Sequence, residues 1–322
     1  MTDAPHLSRR AFLRAAALAA GGMATAAGAQ PAGPDPLPRR PLGRTGFQAS
    51  ILALGLGAAG DGDVDHGLVR EITTQALDAG INYLDTAPNY GQVQAAIGSI
   101  IATRRADIFL VSKVEEQTRE GASRQIEQSR RDLQADVLDA VFIHNVGDFD
   151  FAHMTGPDGA FTALRQARDA GHVRFLGLSG HNWPARFLPV IATGDVDLVM
   201  IPTNFVDRHL YRFEAQVLPA ARDHHCGVIG MKVLGGVVGW NYRFIHHARL
   251  GDSGHYENAV RYALNLEGPS TVAMGLCTLE ELQTALGAVR RFRPLSPEEM
   301  TALLASGSHL APNWGHHYGP AE

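Results

Sequence analysis

Four side chains that could take part in proton transfer follow short apolar segments in the first half of the chain. Asp85 ends one segment, Tyr90 follows it by five residues, and Lys113 and His144 end the next two segments. A tyrosine has a pKa of about 10 in water, and an ammonium group within about 4–6 Å stabilises its phenolate. Lys113 can supply that charge and is expected to lower the pKa of Tyr90, with Asp85 as the ion-pair partner of Lys113.

Together these groups could protonate a carbonyl oxygen. A neutral His144 could donate a hydrogen bond to that oxygen, and Tyr90 would give it a proton as hydride attack makes it negative. Each residue alone has an ordinary explanation, such as a solvated turn residue or a histidine satisfied in the core. Four of them in this order on consecutive segments indicate a proton-transfer site.

Eight short apolar or β-branched segments would position these side chains. Their nearly continuous apolar character is typical of strands covered on both faces. They begin at Ile51, Ile81, Ile108, Leu138, Val173, Val196, Gly227 and Ser270. Helical patterns fill gaps between them, at 69–79, 123–133, 161–170 and 278–289.

The spacing of about 30 residues per strand and helix predicts an α/β fold, the (β/α)₈ TIM barrel. Eight such units close a barrel, whereas an open doubly wound sheet more often has five or six strands, which argues against a doubly wound dinucleotide domain. Reactive side chains in a barrel lie at the carboxyl ends of the strands, where the four candidates fall. Residues 41–50, with a turn signal at Thr45-Gly46, predict an N-terminal β-hairpin that caps the barrel floor.

The start of the chain predicts an export signal. Residues 1–29 hold the paired arginines Arg9 and Arg10, typical of twin-arginine signals, and end in Ala-Gly-Ala, a cleavage pattern. Residues 30–37 are a Pro-rich linker, and 38–322 form the barrel.

An uncleaved membrane anchor is the alternative for this segment. It is rich in Ala and Gly and interrupted by Arg14, so it would partition poorly into a bilayer. We therefore expect the twin-arginine export machinery as a partner, a periplasmic or secreted location, and no stable membrane insertion after cleavage.

Composition excludes some partners. A net charge of −5 and the absence of Lys/Arg runs give no reason to expect nucleic acid as a partner. Cys226 and Cys277 cannot form a disulfide framework, and their apolar flanks predict two buried thiols.

The motifs around the four candidates resemble the aldo-keto reductase family. LDTAPNYG at 84–91, VSK at 111–113 and FIH at 142–144 are similar to its catalytic tetrad, and the similarity runs along the barrel from 42 to 275. The resemblance implies a nicotinamide-dependent oxidoreductase that reduces an aldehyde, a ketone or a sugar-like carbonyl. Asp85, Tyr90, Lys113 and His144 would be its catalytic residues, with Tyr90 as general acid.

The resemblance also implies that the nicotinamide stacks over the same rim. Ser179 would bind its carboxamide, and His181 or Asn182 would replace the Asn that the family commonly has at Gly180. Met200 stands where a glutamine is usual, and Met231 where an aromatic ring often stacks on the nicotinamide. Gly275, at the end of the last strand, completes this cofactor-binding set.

The preference for NAD(H) or NADP(H) depends on the segment after the last strand. Between Arg261 and Arg290 there is no Lys or Arg for a 2′-phosphate, but there are Glu280 and Glu281. A carboxylate suits an unphosphorylated ribose better. We therefore expect NAD(H) in preference to NADP(H), with Glu281 at the ribose.

Two tryptophans are the candidates for substrate contact. Trp240 lies in a long loop at 235–255, and Trp314 lies in a C-terminal tail that could fold over the mouth of the barrel. Histidine pairs occur in both segments, but no cysteine or acidic ligand accompanies them at metal-like spacing, so no metal site is predicted.

Two other function classes remain as alternatives. A non-catalytic sensor or subunit that holds dinucleotide in a reductase-like barrel would fit the altered Gly180, Met200 and Met231 positions, but the complete tetrad argues against it. A metal-dependent hydrolase or isomerase would need clustered ligands at strand ends, where only Asp85 and His144 occur.

Overall fold

The computed structural model shows a closed barrel of eight parallel strands. It describes residues 36–60, 65–237, 248–251 and 254–322. The barrel strands are β3 (Leu52–Gly55), β4 (Tyr83–Asp85), β5 (Phe109–Val114), β6 (Leu138–Ile143), β7 (Val173–Ser179), β8 (Leu198–Pro202), β9 (Gly227–Met231) and β10 (Pro269–Gly275). The last strand pairs with the first, Val272 opposite Leu52, which closes the ring. All eight predicted strands are present, and the predicted TIM barrel is confirmed.

Helices follow the strands on the outside of the barrel. They are α1 (Gly57–Gly60), α2 (His66–Asp78), α3 (Val93–Arg104), α4 (Arg119–Asp132), α5 (Phe151–Thr155), α6 (Ala160–Asp169), α7 (Phe187–Ile191), α8 (Phe213–Asp223), α9 (Tyr256–Asn265), α10 (Leu279–Arg290) and α11 (Pro297–Trp314). The four predicted helices correspond to α2, α4, α6 and α10. Thr278 caps α10 by accepting a hydrogen bond from the backbone N–H of Glu281.

A two-stranded hairpin closes the floor of the barrel, as predicted. Strands β1 (Arg39–Pro41) and β2 (Gln48–Ser50) pair antiparallel, with Arg40 opposite Ala49. Gly46 turns the chain with a φ of 76°, a conformation that favours glycine. Leu42 is fully buried among the side chains inside the barrel.

The apolar core has two layers. One lies between the outer face of the strands and the helices, and the other fills the barrel interior with residues such as Tyr83, Phe109 and Phe142. Since the hairpin and this interior layer fill the amino-terminal half, the open space lies at the carboxyl ends of the strands. Function is therefore expected there.

Some features at the margins of the barrel differ from expectation. Leu37, the last residue of the predicted linker, is buried in the outer core layer. Cys226 is buried, and its Sγ donates to the Val196 carbonyl at 3.0 Å. Cys277 is only half-buried, because it lies in the loop that opens α10. The predicted signal, 1–29, lies outside the described residues.

No helix in the described parts of the chain is both long and apolar enough to cross a bilayer.

Candidate active site

The structure brings the four predicted catalytic side chains together at the carboxyl ends of neighbouring strands. Asp85 ends β4, Lys113 lies near the end of β5, His144 directly follows β6, and Tyr90 comes from the loop after β4. Lys113 Nζ donates to the two carboxylate oxygens of Asp85 at 2.7 and 2.8 Å. It also lies 3.0 Å from the Tyr90 hydroxyl, so it bridges a carboxylate and a phenol.

Lys113 and Asp85 form a buried ion pair, with Lys113 only 1% exposed and Asp85 5%. Desolvation acts to lower the pKa of Lys113, but the carboxylate of Asp85 and the nearby Tyr90 outweigh it and raise that pKa. Lys113 therefore carries a fixed positive charge at neutral pH, held against the phenol.

Tyr90 is protonated at neutral pH, and two opposing effects act on its pKa. Burial raises the pKa of Tyr90 above its ordinary value, and the Lys113 ammonium only partly opposes that rise. The Lys113 ammonium thus lowers the pKa as expected from the sequence, but the loss of water around the phenol has the larger effect. The phenol keeps its proton at neutral pH until negative charge develops on a bound oxygen beside it.

His144 lies edge-on to Tyr90, with ring centroids 5.9 Å apart. Its ring is buried, and burial lowers its pKa despite the Glu115 carboxylate 3.0 Å from Nδ1. The neutral imidazole is therefore the main form near neutral pH.

These side chains line a cavity of about 440 Å³. Polar groups of Asn89, Asn145, His181 and Lys232 lie in its wall near the tetrad. Its apolar surface is supplied by side chains from the strand ends and from the segment after β9, namely Met200, Met231, Val233, Leu234, Val237, Ala248, Ala273 and Met274. A small molecule that enters this cavity meets Tyr90 and His144 directly.

Ser179, Met231 and Gly275, which were predicted to bind the cofactor, line the cavity. Asn182 does not. It is buried behind the wall, where its amide donates to Asp148 at 3.3 Å. Of the two expected replacements for the family's Asn, His181 is the one in the wall, and its Nδ1 lies 2.9 Å from the amide oxygen of Asn145.

Glu281 lies in the first turn of α10, where its carboxylate accepts a hydrogen bond from the backbone N–H of Cys277 at 2.7 Å. It is absent from the cavity wall. Its contact with a ribose stays a prediction.

Trp314 does not line the cavity. Trp314 ends α11 and packs against the Arg249 guanidinium at 4.9 Å and edge-on to His317. It therefore supports the wall from behind instead of touching the space where a substrate would lie. Trp240 lies outside the described residues.

The C-terminal tail runs past the loops that follow β7 and β8. His317 pairs with the buried Asp207 at 2.7 Å, and the Pro320 carbonyl accepts from the backbone N–H of Trp183. The ring of Tyr318 lies 5.3 Å from that of His181. The tail thus packs behind one side of the cavity wall.

Two titratable residues of this site were not singled out from the sequence, Lys232 and Glu115. Lys232 directly follows β9 and lines the cavity, and burial together with the charge of Lys113 lowers its pKa to about 7. Glu115 is two residues beyond Lys113. The rule that identified the tetrad, a titratable residue just after a barrel strand, would have found both.

Among the described residues, no three His, Cys, Asp or Glu side chains come together as a metal-binding group.

Comparison with known proteins agrees with this geometry. The family model described as "Aldo/keto reductase family" matches residues 52–306. D-threo-aldose 1-dehydrogenase from a Pseudomonas species is 26% identical over 57% of this chain and 66% of its own length. An uncharacterised oxidoreductase of Bacillus subtilis, YrpG, is 30% identical over 62% of this chain and 67% of its own.

Among solved structures, the holo form of an aldo-keto reductase from Bacillus halodurans has the same fold, with a TM-score of 0.68. It is 21% identical, and the match covers 84% of this chain and 96% of that one. The family match spans the whole barrel from its first strand into its last helix and includes all four residues of the tetrad. The chain belongs to the aldo/keto reductase family.

Proposed function

We propose that the protein is a nicotinamide-dependent oxidoreductase that reduces an aldehyde, a ketone or a sugar-like carbonyl. The observation that carries the proposal is the Tyr90 hydroxyl at the cavity, 3.0 Å from the ammonium of a buried Lys113–Asp85 pair. A protonated phenol beside a fixed positive charge can release its proton as negative charge develops on a bound oxygen.

The cavity wall fits a nicotinamide ring. Ser179 donates to the Ile143 carbonyl at 3.3 Å, so its oxygen can still accept from a carboxamide. Met200 and Met231 present polarizable thioethers that can pack on a ring face. When bound, the reduced cofactor supplies hydride to the carbonyl carbon.

This chain's residues would handle the proton. Tyr90 gives its proton to the substrate oxygen, and Lys113 stabilises the phenolate that remains until it regains a proton from solvent. Asp85 holds Lys113 in place. The apolar side chains around them exclude water, which strengthens these electrostatic effects.

We favour NAD(H) over NADP(H), on the absence of Lys and Arg between Arg261 and Arg290 and the presence of Glu280 and Glu281. Among possible substrates, we favour a hydroxylated carbonyl. Asn89 and Asn145 offer hydrogen bonds that substrate hydroxyl groups can use. The similarity to an aldose dehydrogenase supports the same choice.

The test is to titrate the protein separately with NADH and NADPH by fluorescence and then to add a carbonyl panel. We expect saturable binding, tighter for NADH, and turnover with hydroxyaldehydes. Tyr90→Phe keeps the ring but removes the proton, so it should bind cofactor normally and lose about 10²–10⁴-fold in kcat. No binding of either cofactor would contradict the proposal, and tighter NADPH binding would contradict the cofactor preference alone.

We also propose export through the twin-arginine machinery to the periplasm or the exterior, on the Arg9-Arg10 pair and the Ala-Gly-Ala pattern at 27–29. Cell fractionation of the wild type and of a chain with both arginines changed to lysine tests it. Retention of the variant inside the cell is expected, and equal distribution of both chains would contradict export by this route.

A further inference from the structure

The ring of Tyr90 lies against glycine in the short helix α1, which follows the first barrel strand. A Cβ atom added to Gly57 would lie 3.0 Å from Cζ of Tyr90, the ring carbon that carries the hydroxyl. It would lie 3.2 and 3.3 Å from the two Cε atoms, so it would sit directly over the ring face. Gly57 therefore packs on the hydroxyl end of the phenol.

The backbone of Gly57 does not itself require glycine. Gly57 lies in a helix, and its φ is outside the left-handed region that Gly46 occupies. Within a helix, alanine is generally more stable than glycine. The close approach of the Tyr90 ring is the feature that excludes a side chain at this position.

Tyr90 is also held by its backbone. Its N–H donates to the Ala87 carbonyl at 3.1 Å, and its own carbonyl accepts from the Val93 N–H at 3.3 Å. A Cβ atom on Gly60 would lie only 2.3 Å from the same Tyr90 carbonyl oxygen, so the end of α1 lies directly against this backbone. Pressure on the ring would therefore turn the side chain instead of moving the whole residue.

Lys113 is not free to follow a displaced hydroxyl. Its Nζ donates to both carboxylate oxygens of Asp85 and to the Thr86 carbonyl at 3.1 Å, besides lying 3.0 Å from the Tyr90 hydroxyl. Displacement of the ring would thus separate the phenol from the ammonium that stabilises its phenolate.

We propose that Gly57 is a positioning residue for the reaction: because it has no side chain, α1 supports the face of the Tyr90 ring and sets the distance from its hydroxyl to Lys113. The inference rests on the proposed function. Carbon atoms that are not bonded prefer separations of about 3.5–4.0 Å, so Gly57→Ala should displace the hydroxyl end of the ring by about 0.5–1 Å.

A single turnover with NADH and D-glyceraldehyde tests this role, with NADPH in place of NADH if that is the cofactor bound. A misplacement of 1 Å can slow a reaction about 100-fold. Gly57→Ala should therefore lower the rate of cofactor oxidation about 10–100-fold without changing the Kd of the cofactor. Gly287→Ala is the matched control and should keep the wild-type rate. Gly287 is also helical and half-buried, but an added Cβ there would meet the flexible end of Arg291.

The double variant Gly57→Ala, Tyr90→Phe separates positioning from a general disturbance of the cavity. Once the hydroxyl is gone there is no proton donor to misplace, so Gly57→Ala should slow Tyr90→Phe no further. Equal slowing in both backgrounds, or a wild-type rate in Gly57→Ala, would overturn the proposal.

Carbon-13 NMR with the label at tyrosine Cζ gives a readout that needs no turnover. The Tyr90 signal is assigned by its loss in Tyr90→Phe, and its chemical shift depends on the contacts of the hydroxyl. Gly57→Ala should move this signal, and Gly287→Ala should leave it in place. A Tyr90 signal at the wild-type position in Gly57→Ala would contradict the proposed role.

Failure of the two proposals can be told apart. If the wild type binds cofactor but reduces no carbonyl, the proposed function fails, while the Tyr90 signal still decides whether Gly57 positions the phenol. If turnover is found and Gly57→Ala changes neither the rate nor the signal, the role of Gly57 fails alone.

Discussion

Lys113 Nζ lies between a carboxylate at 2.7 Å and a phenol at 3.0 Å, in surroundings that leave it almost no contact with water. Removing one member of such a pair leaves the other charge buried without compensation. At the scale of single residues, the ion pair therefore serves both stability and chemistry, and the two roles can be separated by substitution.

Lys113→Met should lower the free energy of unfolding by about 3–5 kcal/mol, because the Asp85 carboxylate would stay buried without its partner. The double variant with Asp85→Asn removes the stranded charge and should regain part of this loss. Urea unfolding of the wild type, both single variants and the double variant measures the coupling. Additive effects of the two substitutions would contradict a shared ion pair.

Reduction should not recover in that double variant, because Tyr90 would still lack the ammonium that stabilises its phenolate. A stability that recovers without activity would separate the structural role of the pair from its chemical one.

The tetrad could be predicted from the sequence because each member directly follows an apolar segment or lies a few residues beyond one. The rise in the pKa of Tyr90 could not be predicted, since it depends on how much water the folded loops exclude. Glu115 could have been noticed by position, but its contact with His144 depends on how the loop after β5 is held by Gln125 on α4. Side-chain contacts between loops of this kind leave no periodic signal.

At the scale of elements, the strand ends and the hairpin were predictable because hydrophobic continuity and turn residues report them locally. The contacts of side chains at helix ends and in loops could not be predicted in this way. Trp314 was expected at the substrate, but the last turn of α11 places it against Arg249. The same limit applies to Asn182, which the loop after β7 turns toward Asp148 while His181 takes the wall position.

One helix-to-helix contact should make folding stability depend on pH. Glu214, in the first turn of α8, has a side chain only 12% exposed, and both of its oxygens accept from the Tyr262 hydroxyl of α9 at 2.8 Å. Burial raises the pKa of Glu214 to about 7. Between the ordinary value and about pH 7, the folded state therefore holds a proton that the unfolded state has lost.

The free energy of unfolding should accordingly fall as pH rises from 4.5 to about 7, because the folded state binds up to one more proton at Glu214 than the unfolded state does. Glu214→Gln carries no titrating proton and should remove that contribution. Urea midpoints of both proteins at several pH values in this range are the measurement. Parallel curves for the wild type and the variant would show that Glu214 titrates normally.

At the scale of the whole molecule, closing eight parallel strands into one ring brings Asp85, Lys113 and His144 to the same rim although they are about 30 residues apart in sequence. The hairpin and the interior side chains fill the opposite end, and the cavity of about 440 Å³ lies at the carboxyl rim. The barrel thus explains why residues with ordinary individual explanations form one site. It does not select the substrate, which depends on loops around that rim.

Hydride transfer at this site, with Tyr90 as the acid, can be tested in one reaction. The most direct measurement is a single turnover, in which protein saturated with NADH, and separately with NADPH, is mixed with D-glyceraldehyde while the absorbance of the reduced nicotinamide is followed. We predict loss of one equivalent of reduced cofactor in the wild type and at least about a 100-fold slower loss in Tyr90→Phe with unchanged cofactor binding. A wild-type protein that binds the cofactor tightly but leaves it reduced across a panel of carbonyls would contradict hydride transfer at this site and favour a dinucleotide-binding sensor.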